Sequence, residues 1–565
     1  MVSDLNEMAD ATRPDWPNRP WALAVLGATV GIAVDLVLTP SGDGPWSDDV
    51  NRVAAATFFG ISGIVFAFVV ERGKIFGSAA FGIIAGLVVA SVLYWSGDFN
   101  SWEPWRLVSA LLTVAIAAPL FQAWRDSGGA GTHIAYAAAH DRAWTNVCLW
   151  FATWAFVGIT FVLAWLLAML FNLIGIDALE ELLKESRFSM ALAGAAFGGA
   201  TGLLRDRERI VGLLQRIAMM VLSVLAPVLG AGLLLFLAAL PFTGLDALWE
   251  TTKETTPILL SCVIGALVLA NSVIGDGPED ESRQIALRWS AMALGTAILP
   301  LAVIAAISTG LRIDQYGLTP ARLWAATFTA IACAFGLAYL VALVRGRGQD
   351  WAAFVRPANL RLALGLCALA FVLSTPIVSF GAIATRDQVA RLMSGEIPPD
   401  KFDWAALRFE FGPAGVEALK DLKSRGKSVA IRTAATRALK ADTPYDAIEQ
   451  QRQQETLAQM VVMPRAAALP PALRERITQW DACGGETPCN ILYRAEAGEA
   501  IIVNQQGIKR LLLRNGNWVM SNDRFVPADE KKRVDNDFAQ GKVDIRAVTR
   551  RQLFVGEKPV GEPFE

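Results

Sequence analysis

The sequence predicts an α-helical polytopic membrane domain of about eleven spans, followed by a soluble α+β domain with an antiparallel β meander. Of the 565 residues, 54% are hydrophobic and only 18% are charged, whereas a soluble domain carries about 25% charged residues. The charges are also uneven, since residues 385–565 hold 53 of them and the first 384 residues hold 51. This composition excludes a water-soluble enzyme, a disordered chain and a disulfide scaffold.

Apolar runs of spanning length occur only before Ala384, and a span needs about 20 such residues to cross about 30 Å of hydrocarbon. The eleven runs are 21–39, 53–70, 75–95, 107–124, 147–173, 188–204, 217–240, 257–273, 289–307, 323–344 and 363–383. A polar stretch of 20 residues precedes the first run, and no small-residue cleavage site follows it. We therefore expect a retained first span rather than a signal peptide. Residues 1–20 are predicted to be a tail and 21–384 the transmembrane domain.

The basic residues of the loops predict the orientation. With the N-terminus in the cytoplasm, the inner segments 1–20, 71–74, 125–143, 205–216, 274–288 and 345–362 carry 16 Lys and Arg, and the outer loops carry 7. Basic residues concentrate on the cytoplasmic side of membrane proteins. Because eleven is odd, the soluble domain is expected outside. The predicted location is the inner membrane of a bacterium, with a cytoplasmic N-terminus and a periplasmic C-terminal domain.

The soluble domain is predicted to be helical over 385–480 and to form a meander over 481–565. Helical spacing of apolar residues indicates helices at 413–425, 430–440, 445–462 and 473–480. Short apolar runs at 491–493, 500–503, 508–513 and 518–520 predict four strands, and Asn515-Gly516 is a strong hairpin signal. A polar helix is expected at 528–539 and a further strand at 552–555.

Cys483 and Cys489 are the only cysteines of the soluble domain, and they flank two Gly and a Pro. A close pair of this kind predicts a small disulfide loop that staples the meander, which would agree with a periplasmic location. The alternatives are a reduced pair or half of a metal site. No histidine and no other cysteine lies in this domain to complete a zinc site.

Two segments carry a resemblance to a known family. The stretch FDWAALRFE at 402–410, followed by Gly415, is similar to the post-membrane segment of the DUF4153 family of bacterial membrane proteins. Tyr136 and the stretch HDRAWTN at 140–146, which enters a long span, resemble that family as well. The order of many spans, this segment and a β meander is also similar. The family has no known function, so the resemblance implies a fold and a bacterial envelope setting, and no activity.

His133 and His140 are the only histidines, and Asp141 follows the second one. A spacing of seven would put both histidines on one helix face, where a ligand or proton-relay role is conceivable. The alternative is an interfacial helix in which His140 hydrogen-bonds its neighbours.

Asp35 is the one acid well inside a predicted span. An intramembrane carboxylate is costly, which makes a proton or ion role a hypothesis. Asp35 lies four residues from the outer end of its run, so an interfacial or hydrogen-bonded role is the alternative.

Gly194, Gly198 and Gly202 recur every four residues in the sixth span, and Gly27 and Gly31 have the same spacing in the first. Such stripes let another helix approach closely, within the chain or in a dimer. Four prolines are predicted inside spans, at 119, 227, 300 and 376. Proline kinks helices and is common in transporters, although membrane helices tolerate it generally.

We find no phosphate-binding loop, HExxH, nucleophile elbow or dinucleotide fingerprint. We therefore predict no catalytic residue, metal site or cofactor, and the net charge of −2 argues against a nucleic-acid partner. The first functional hypothesis is a structural, assembly or signalling protein, with the lipid bilayer and an envelope protein as its partners. The second is a transporter or channel for a small or lipidic solute. The third is a membrane enzyme that uses His140 and Asp141.

Overall fold

A computed structural model describes residues 16–39, 49–96, 104–129, 134–244, 255–279, 281–282, 284–347, 350–448, 460–465, 467–480, 482–483, 489–504, 507–514, 516–523, 533, 536–538, 540–542, 551–555 and 558–564. The chain forms two compact units. The first comprises Met1–Glu396 and Ala406–Asp421, and the second comprises Ile397–Ala405 and Leu422–Glu565.

The first unit is built from helices. They are α1 (Arg19–Leu38), α2 (Val50–Val69), α3 (Ile75–Ser96), α4 (Pro104–Asp126), α5 (Tyr136–Asn172), α6 (Ala178–Lys184), α7 (Ser186–Arg205), α8 (Glu208–Thr243), α9 (Thr255–Ile274), α10 (Ile285–Tyr316), α11 (Pro320–Arg345), α12 (Trp351–Ser374) and α13 (Phe380–Ser394). Helices α14 (Trp404–Phe409) and α15 (Gly412–Arg425) follow. Side-chain oxygens of Asp49, Thr319 and Ser379 cap α2, α11 and α13 by accepting backbone N–H bonds.

In the part of the chain that the structure describes, ten helices are long and apolar enough to cross a membrane, namely α1 to α5 and α8 to α12. The chain is therefore an integral membrane protein with a multi-pass helical domain. Helix α7, which covers the predicted sixth span, has 20 residues but is rich in small and polar side chains and is not among the ten.

Helices α1 and α7 pack in antiparallel directions at very short range. A Cβ atom built on Gly27 would lie 1.9 Å from the carbonyl oxygen of Gly194, and one built on Gly198 would lie 2.0 Å from that of Leu23. One built on Gly202 would lie 2.6 Å from the Cα of Pro20. The glycine stripes of the two helices thus face each other within the chain, and α7 follows α1 from end to end.

Two large hydrophobic clusters form inside the first unit, beside smaller ones. One collects buried residues of α8 to α12, including Leu294, Ile298 and Leu301. The other collects residues of α2 to α5, α7 and α8, including Val69, Leu149 and Phe197. Helices α4 and α12 touch between them, where the Cys367 thiol lies 3.6 Å from the carbonyl oxygen of Thr113. We call α2 to α5 with α7 one helix group and α9 to α12 the other, and α8 contributes to both clusters.

The last predicted span differs from the structure at both ends. The run 363–383 corresponds to α12, which begins at Trp351 and ends at Ser374. The early start is possible because Arg356 is buried and donates to the carbonyl oxygens of Ile274 and Gly277 at 2.8 and 2.9 Å. The prediction that Pro376 lies inside a span is wrong, since proline disfavours the helical conformation in the residue before it and α12 stops short of it.

The composition changes near Ala384, but α13 continues across that position. Gln388 of α13 is buried and donates to the carbonyl oxygens of Tyr316 and Leu318 at 3.1 and 3.0 Å. Asp387 accepts a 2.7 Å bond from the backbone N–H of Leu318. These hydrogen bonds attach α13 to the residues at the end of α10. The first unit therefore continues past Ala384, to Glu396.

The second unit contains α16 (Val429–Lys440), α17 (Pro471–Gln479) and two sheets. Strands β1 (Met460–Met463), β2 (Cys489–Arg494), β3 (Glu499–Asn504), β4 (Gly507–Arg514) and β5 (Asn517–Asp523) form one sheet in that order. The predicted four-stranded antiparallel meander is confirmed as β2 to β5. Strands β6 (Arg551–Val555), which covers the predicted strand 552–555, and β7 (Lys558–Phe564) pair separately.

One prediction in this unit is wrong. The helix expected over 445–462 does not reach Val462, because Met460–Met463 is strand β1, which pairs in parallel with β2 from Met460↔Cys489 to Met463↔Leu492. A short apolar run with two valines fits a strand at least as well as a helix. Residues 449–459 and most of the helix expected at 528–539 lie outside the described residues.

Candidate functional site

Helix α5 begins well before its predicted span. It has 37 residues, and at 1.5 Å per residue it is about 55 Å long, longer than the hydrocarbon core of about 30 Å. Its first three turns carry Tyr136, His140, Asp141 and Arg142. His133 lies outside the described residues, so its position relative to His140 stays a prediction.

His140 and Asp141 line two different cavities. His140 lines one of about 380 Å³, which we call the apolar cavity. Asp141 lines one of about 200 Å³, which we call the arginine cavity. Consecutive residues of a helix point about 100° apart, which places the two side chains against different neighbouring helices.

The apolar cavity lies between the two helix groups. Its walls come from α4 and α5 on one side and from α9, α11 and α12 on the other, and they are mostly apolar, with Ile116, Trp144, Leu267 and Phe335 among them. An apolar chamber with a few polar groups is the usual form of a small-molecule site.

A row of polar side chains borders this cavity, and we call it the polar row. The Tyr136 hydroxyl lies 2.9 Å from His140 Nδ1. The Asn359 Nδ2 group donates to Asn271 Oδ1 at 2.7 Å, and Asn271 Nδ2 donates to the Tyr339 hydroxyl, also at 2.7 Å. Tyr339 is fully buried. Asn271, Tyr339 and Asn359 join α9, α11 and α12 by hydrogen bonds inside an apolar setting, where such bonds are strong. The Tyr136–His140 bond lies within α5.

Two acceptors at this cavity lack their usual donors. Asn359 Oδ1 is buried and has no hydrogen-bond partner among the described residues. Pro119 lies inside α4 and has no N–H, so the carbonyl oxygen of Ala115 cannot receive its intrahelical bond. Both residues line the cavity. Only the Asn359 oxygen is buried, since Ala115 is exposed. A buried acceptor without a donor is unfavourable by about 1–3 kcal/mol, so a ligand that brings a donor to Asn359 would be stabilised there.

The arginine cavity is polar. Three guanidinium groups line it, from Arg19 at the start of α1, Arg142 in α5 and Arg205 at the end of α7. The carboxylates of Glu71 and Asp141 line it too, together with the polar side chains of Gln122, Thr145, Asn146 and Gln215.

Ion pairs and amide bonds connect these groups. Glu71 contacts Arg19 at 3.2 Å and Arg205 at 3.5 Å, and Arg19 also contacts Asp206 at 3.2 Å. Arg142 pairs with Asp126 at 2.9 Å. The amide Nε2 of Gln215 donates to Asp141 at 3.4 Å, and the Thr145 hydroxyl donates to Gln215 Oε1 at 3.3 Å. Arg205 also donates to the carbonyl oxygen of Ala67, and Gln122 donates to that of Phe68 and accepts a bond from Asn146. The ends of α1, α5, α7 and α8 are thus joined through α2 and α4.

Asp35 lies at the far end of α1, and its carboxylate is only 1% exposed. It accepts a 2.6 Å bond from the Ser186 hydroxyl, and its other oxygen lies 3.6 Å from Arg187 Nε. Ser186 is the first residue of α7, where the helix dipole favours a negative charge. These contacts connect α1 to α7, while the proton or ion role of Asp35 stays a prediction.

The Sγ atoms of Cys483 and Cys489 are at disulfide distance, with Cα atoms 5.5 Å apart. Both cysteines are buried in the core of the second unit, beside Leu473 and Ile477 of α17 and Ile491 of β2. The pair therefore connects the end of the α17 segment to the first strand of the meander. Among the described residues, no group of three or more His, Cys, Asp and Glu side chains is arranged to hold a metal ion.

Sequence reasoning did not select Asn271, Tyr339 or Asn359, and it named Tyr136 only for the family resemblance. A usable signal existed, because Asn271 and Asn359 are amides inside apolar helices and polar groups at membrane depth tend to be functional. Nothing in the sequence indicates that four helices bring these residues to one cavity.

Comparison with known proteins gives no relative. No model of a known protein family matches the chain, no curated protein is similar to it and no solved structure matches it. The resemblance to the DUF4153 family therefore stays a prediction.

Proposed function

We propose that this integral membrane protein binds a lipidic solute in the apolar cavity and moves it through the membrane unit. The polar row within apolar walls carries this proposal, since it matches an amphipathic molecule. The position of the cavity, with α4 and α5 on one side and α9, α11 and α12 on the other, also supports it, because transporters place their sites between repeats or bundles that move against each other.

The unpaired side-chain oxygen of Asn359 narrows the class of solute. Asn359 Oδ1 needs a donor, so the polar end of the solute carries a hydroxyl or amine group. Diacylglycerol, with one free hydroxyl and two acyl chains, represents this class and serves as the probe.

The first experiment tests binding and movement together. The full chain is reconstituted in vesicles, and the transfer of a fluorescent diacylglycerol between leaflets is followed with a membrane-impermeant quencher. We expect Asn359→Leu to slow the transfer about tenfold, because one buried hydrogen bond of about 1.4 kcal/mol corresponds to that factor. Thr160→Val is the matched control, since the Thr160 hydroxyl is exposed on α5 and donates only within its own helix, to the carbonyl oxygen of Phe156.

A second variant keeps the test decisive if Asn359→Leu does not fold. Ala363 lines the cavity and is half-buried, so Ala363→Phe fills the space and leaves the polar row intact. Transfer at the wild-type rate in a monodisperse Ala363→Phe protein would overturn the proposal.

We also propose that the chain crosses the membrane eleven times, with the second unit outside the cytoplasm. Helix α7 supports this count because it follows α1 from end to end and so matches a spanning helix in length. The excess of basic residues in the inner loops and the disulfide-distance pair agree with it. A C-terminal tag that protease removes from spheroplasts is the expected result, and a protected tag would contradict it.

If the second unit lies outside the cytoplasm, it can bind a protein of the envelope. We therefore also propose the first functional hypothesis, a structural, assembly or signalling protein with an envelope partner. Membership of the DUF4153 family, which the segments at 136–146 and 402–410 favour, is part of the same proposal. Cross-linking of the full chain in intact cells, followed by identification of the linked protein, tests this partner. Links that form only to lipid would count against it.

A further inference from the structure

The arginine cavity has a buried donor that no group in the described structure uses. Arg19 is 8% exposed, and its two terminal nitrogens contact Glu71 and Asp206. Its Nε is buried and has no hydrogen-bond partner among the described residues. Arg19 lines the cavity, and a buried guanidinium N–H without an acceptor favours a ligand that brings one.

The two carboxylates that line this cavity, those of Glu71 and Asp141, make only long contacts. Glu71 divides its carboxylate between Arg19 and Arg205 at 3.2 and 3.5 Å, which is longer than the 2.7–2.9 Å typical of charge-assisted bonds. Asp141 is exposed and accepts only a long 3.4 Å bond from Gln215. Asp206 and Asp126 pair with Arg19 and Arg142 as well. The observations that favour a ligand are therefore the unused Nε of Arg19 and the long contacts of Glu71 and Asp141.

The chemistry of the lining selects a phosphoryl group. Guanidinium forks bind phosphate oxygens in pairs, and a phosphoryl group offers three acceptor oxygens to several arginines at once. The amides of Gln122, Asn146 and Gln215 line the same wall. Each uses one N–H within the protein, for Phe68, Gln122 and Asp141 respectively, and has a second N–H left for a ligand. A carboxylate ligand would offer only two oxygens and would have to compete with Glu71 on equal terms.

The cavity also lies where phosphoryl groups occur. Arg19 is the first residue of α1, Arg205 is the last of α7 and Arg142 lies in the second turn of α5. The site is thus at the ends of membrane helices, at the level of lipid headgroups, rather than at the midplane.

We propose that the arginine cavity binds a phosphoryl group, carried by a phospholipid headgroup or by free phosphate, as a second site separate from the apolar cavity. Arg19, Arg142 and Arg205 hold its oxygens, and Glu71 yields part of its contact when the group enters. Because the network ties α1, α5, α7 and α8 together, occupation stabilises that end of the membrane unit.

The test measures thermal stability of the purified full chain in a phosphate-free detergent solution at constant ionic strength. The probes are inorganic phosphate and dihexanoyl phosphatidylglycerol below its micelle concentration, with sodium chloride as the reference. At a probe concentration about 100 times Kd, we expect Tm to rise by about 2 °C. A rise with inorganic phosphate identifies free phosphate as a ligand, and a rise with the lipid alone identifies the headgroup.

The variants separate this site from general charge effects. Arg142→Gln removes a lining guanidinium that is 24% exposed, and we expect its Kd for the probe to rise at least about tenfold. Arg216→Gln is the control, because Arg216 is exposed and follows the lining residue Gln215 in α8 without lining the cavity. Equal stabilisation of Arg142→Gln and wild type, or none by either probe, would overturn the proposal. If Arg142→Gln does not fold, Thr145→Val is measured in the same way and judged by the same outcomes.

Discussion

His140 and Asp141 are neighbours in the chain, yet they line separate cavities on different sides of helix α5. His140 contacts Tyr136 of the polar row, whereas Asp141 contacts Gln215 of the arginine cavity. A joint acid-base role, as the enzyme hypothesis requires, would need both side chains at one reacting group. Their separation favours two binding functions over one catalytic function.

This separation predicts independent effects of the two residues. We expect His140→Ala to slow diacylglycerol transfer and to leave stabilisation by the phosphoryl probe unchanged. We expect Asp141→Ala to leave the transfer rate unchanged and to alter stabilisation by the phosphoryl probe. Because the two side chains line different cavities, their effects on stability should add within about 0.5 kcal/mol in the double variant. A double variant that departs from the sum by more than about 1 kcal/mol would show that the cavities are coupled.

The glycine contact between α1 and α7 predicts a steep cost for any added side chain. A Cβ on Gly194 would lie 2.0 Å from the carbonyl oxygen of Gly27, so we expect Gly194→Ala to lower the free energy of unfolding by about 3 kcal/mol. The temperature at which the monodisperse peak is half lost in detergent reports this change.

Gly158 of α5 provides the control, because a Cβ there would meet no atom within 4 Å. We expect Gly158→Ala to raise the free energy of unfolding by about 0.5–1 kcal/mol, since alanine restricts the unfolded chain. Equal responses of the two variants would contradict the close approach of α1 and α7.

The contacts of Asp35 predict stability losses of different size for three variants of Asp35 and Arg187. Asp35→Ala removes the acceptor of the 2.6 Å bond from Ser186 and the contact with Arg187, and we expect a loss of about 2 kcal/mol in stability. Asp35→Asn keeps an oxygen for Ser186 and should lose less. Arg187→Gln should lose less than about 1 kcal/mol, because Arg187 is 43% exposed and water screens its charge.

Thermal denaturation of these three variants in one detergent ranks them. A larger loss for Arg187→Gln than for Asp35→Ala would contradict the structural role. Loss of solute transfer in Asp35→Asn at unchanged stability would instead support the proton or ion hypothesis.

The cysteine pair predicts a stability difference confined to the second unit. Cys483 and Cys489 are six positions apart, and closing so short a loop contributes about 2 kcal/mol through the unfolded chain. We expect the Cys489→Ala variant of the full chain to release fragments of the soluble unit at lower protease concentration than wild type.

Reductant should bring the wild type to the level of that variant and leave the variant unchanged. Cys262→Ala serves as the control, because Cys262 is a free, half-buried cysteine of α9. A wild-type pattern that reductant does not alter would show that the bridge adds no stability.

The spans were predictable because each one leaves a local signal. A helix in lipid must satisfy its backbone internally and present apolar side chains over its whole length, so composition alone marks it. The four-stranded meander was predictable for a similar reason, since alternating apolar runs and Asn515-Gly516 act over a few residues. The failures at Pro376 and Val462 lie at element ends, where a proline or a strand partner decides the outcome.

The sequence by itself determined that this protein is a multi-pass membrane protein with a soluble α+β unit, that glycine stripes mark close helix contacts and that Cys483 and Cys489 are placed to pair. Only the tertiary structure decided that Gly194 meets Gly27, that Asn359 meets Asn271 and that His140 and Asp141 line different cavities. The physical reason is distance along the chain. Asn271 and Asn359, for example, are 88 positions apart in the chain and lie on different helices. Which residues meet in such contacts follows from the packing of whole helices rather than from any local pattern.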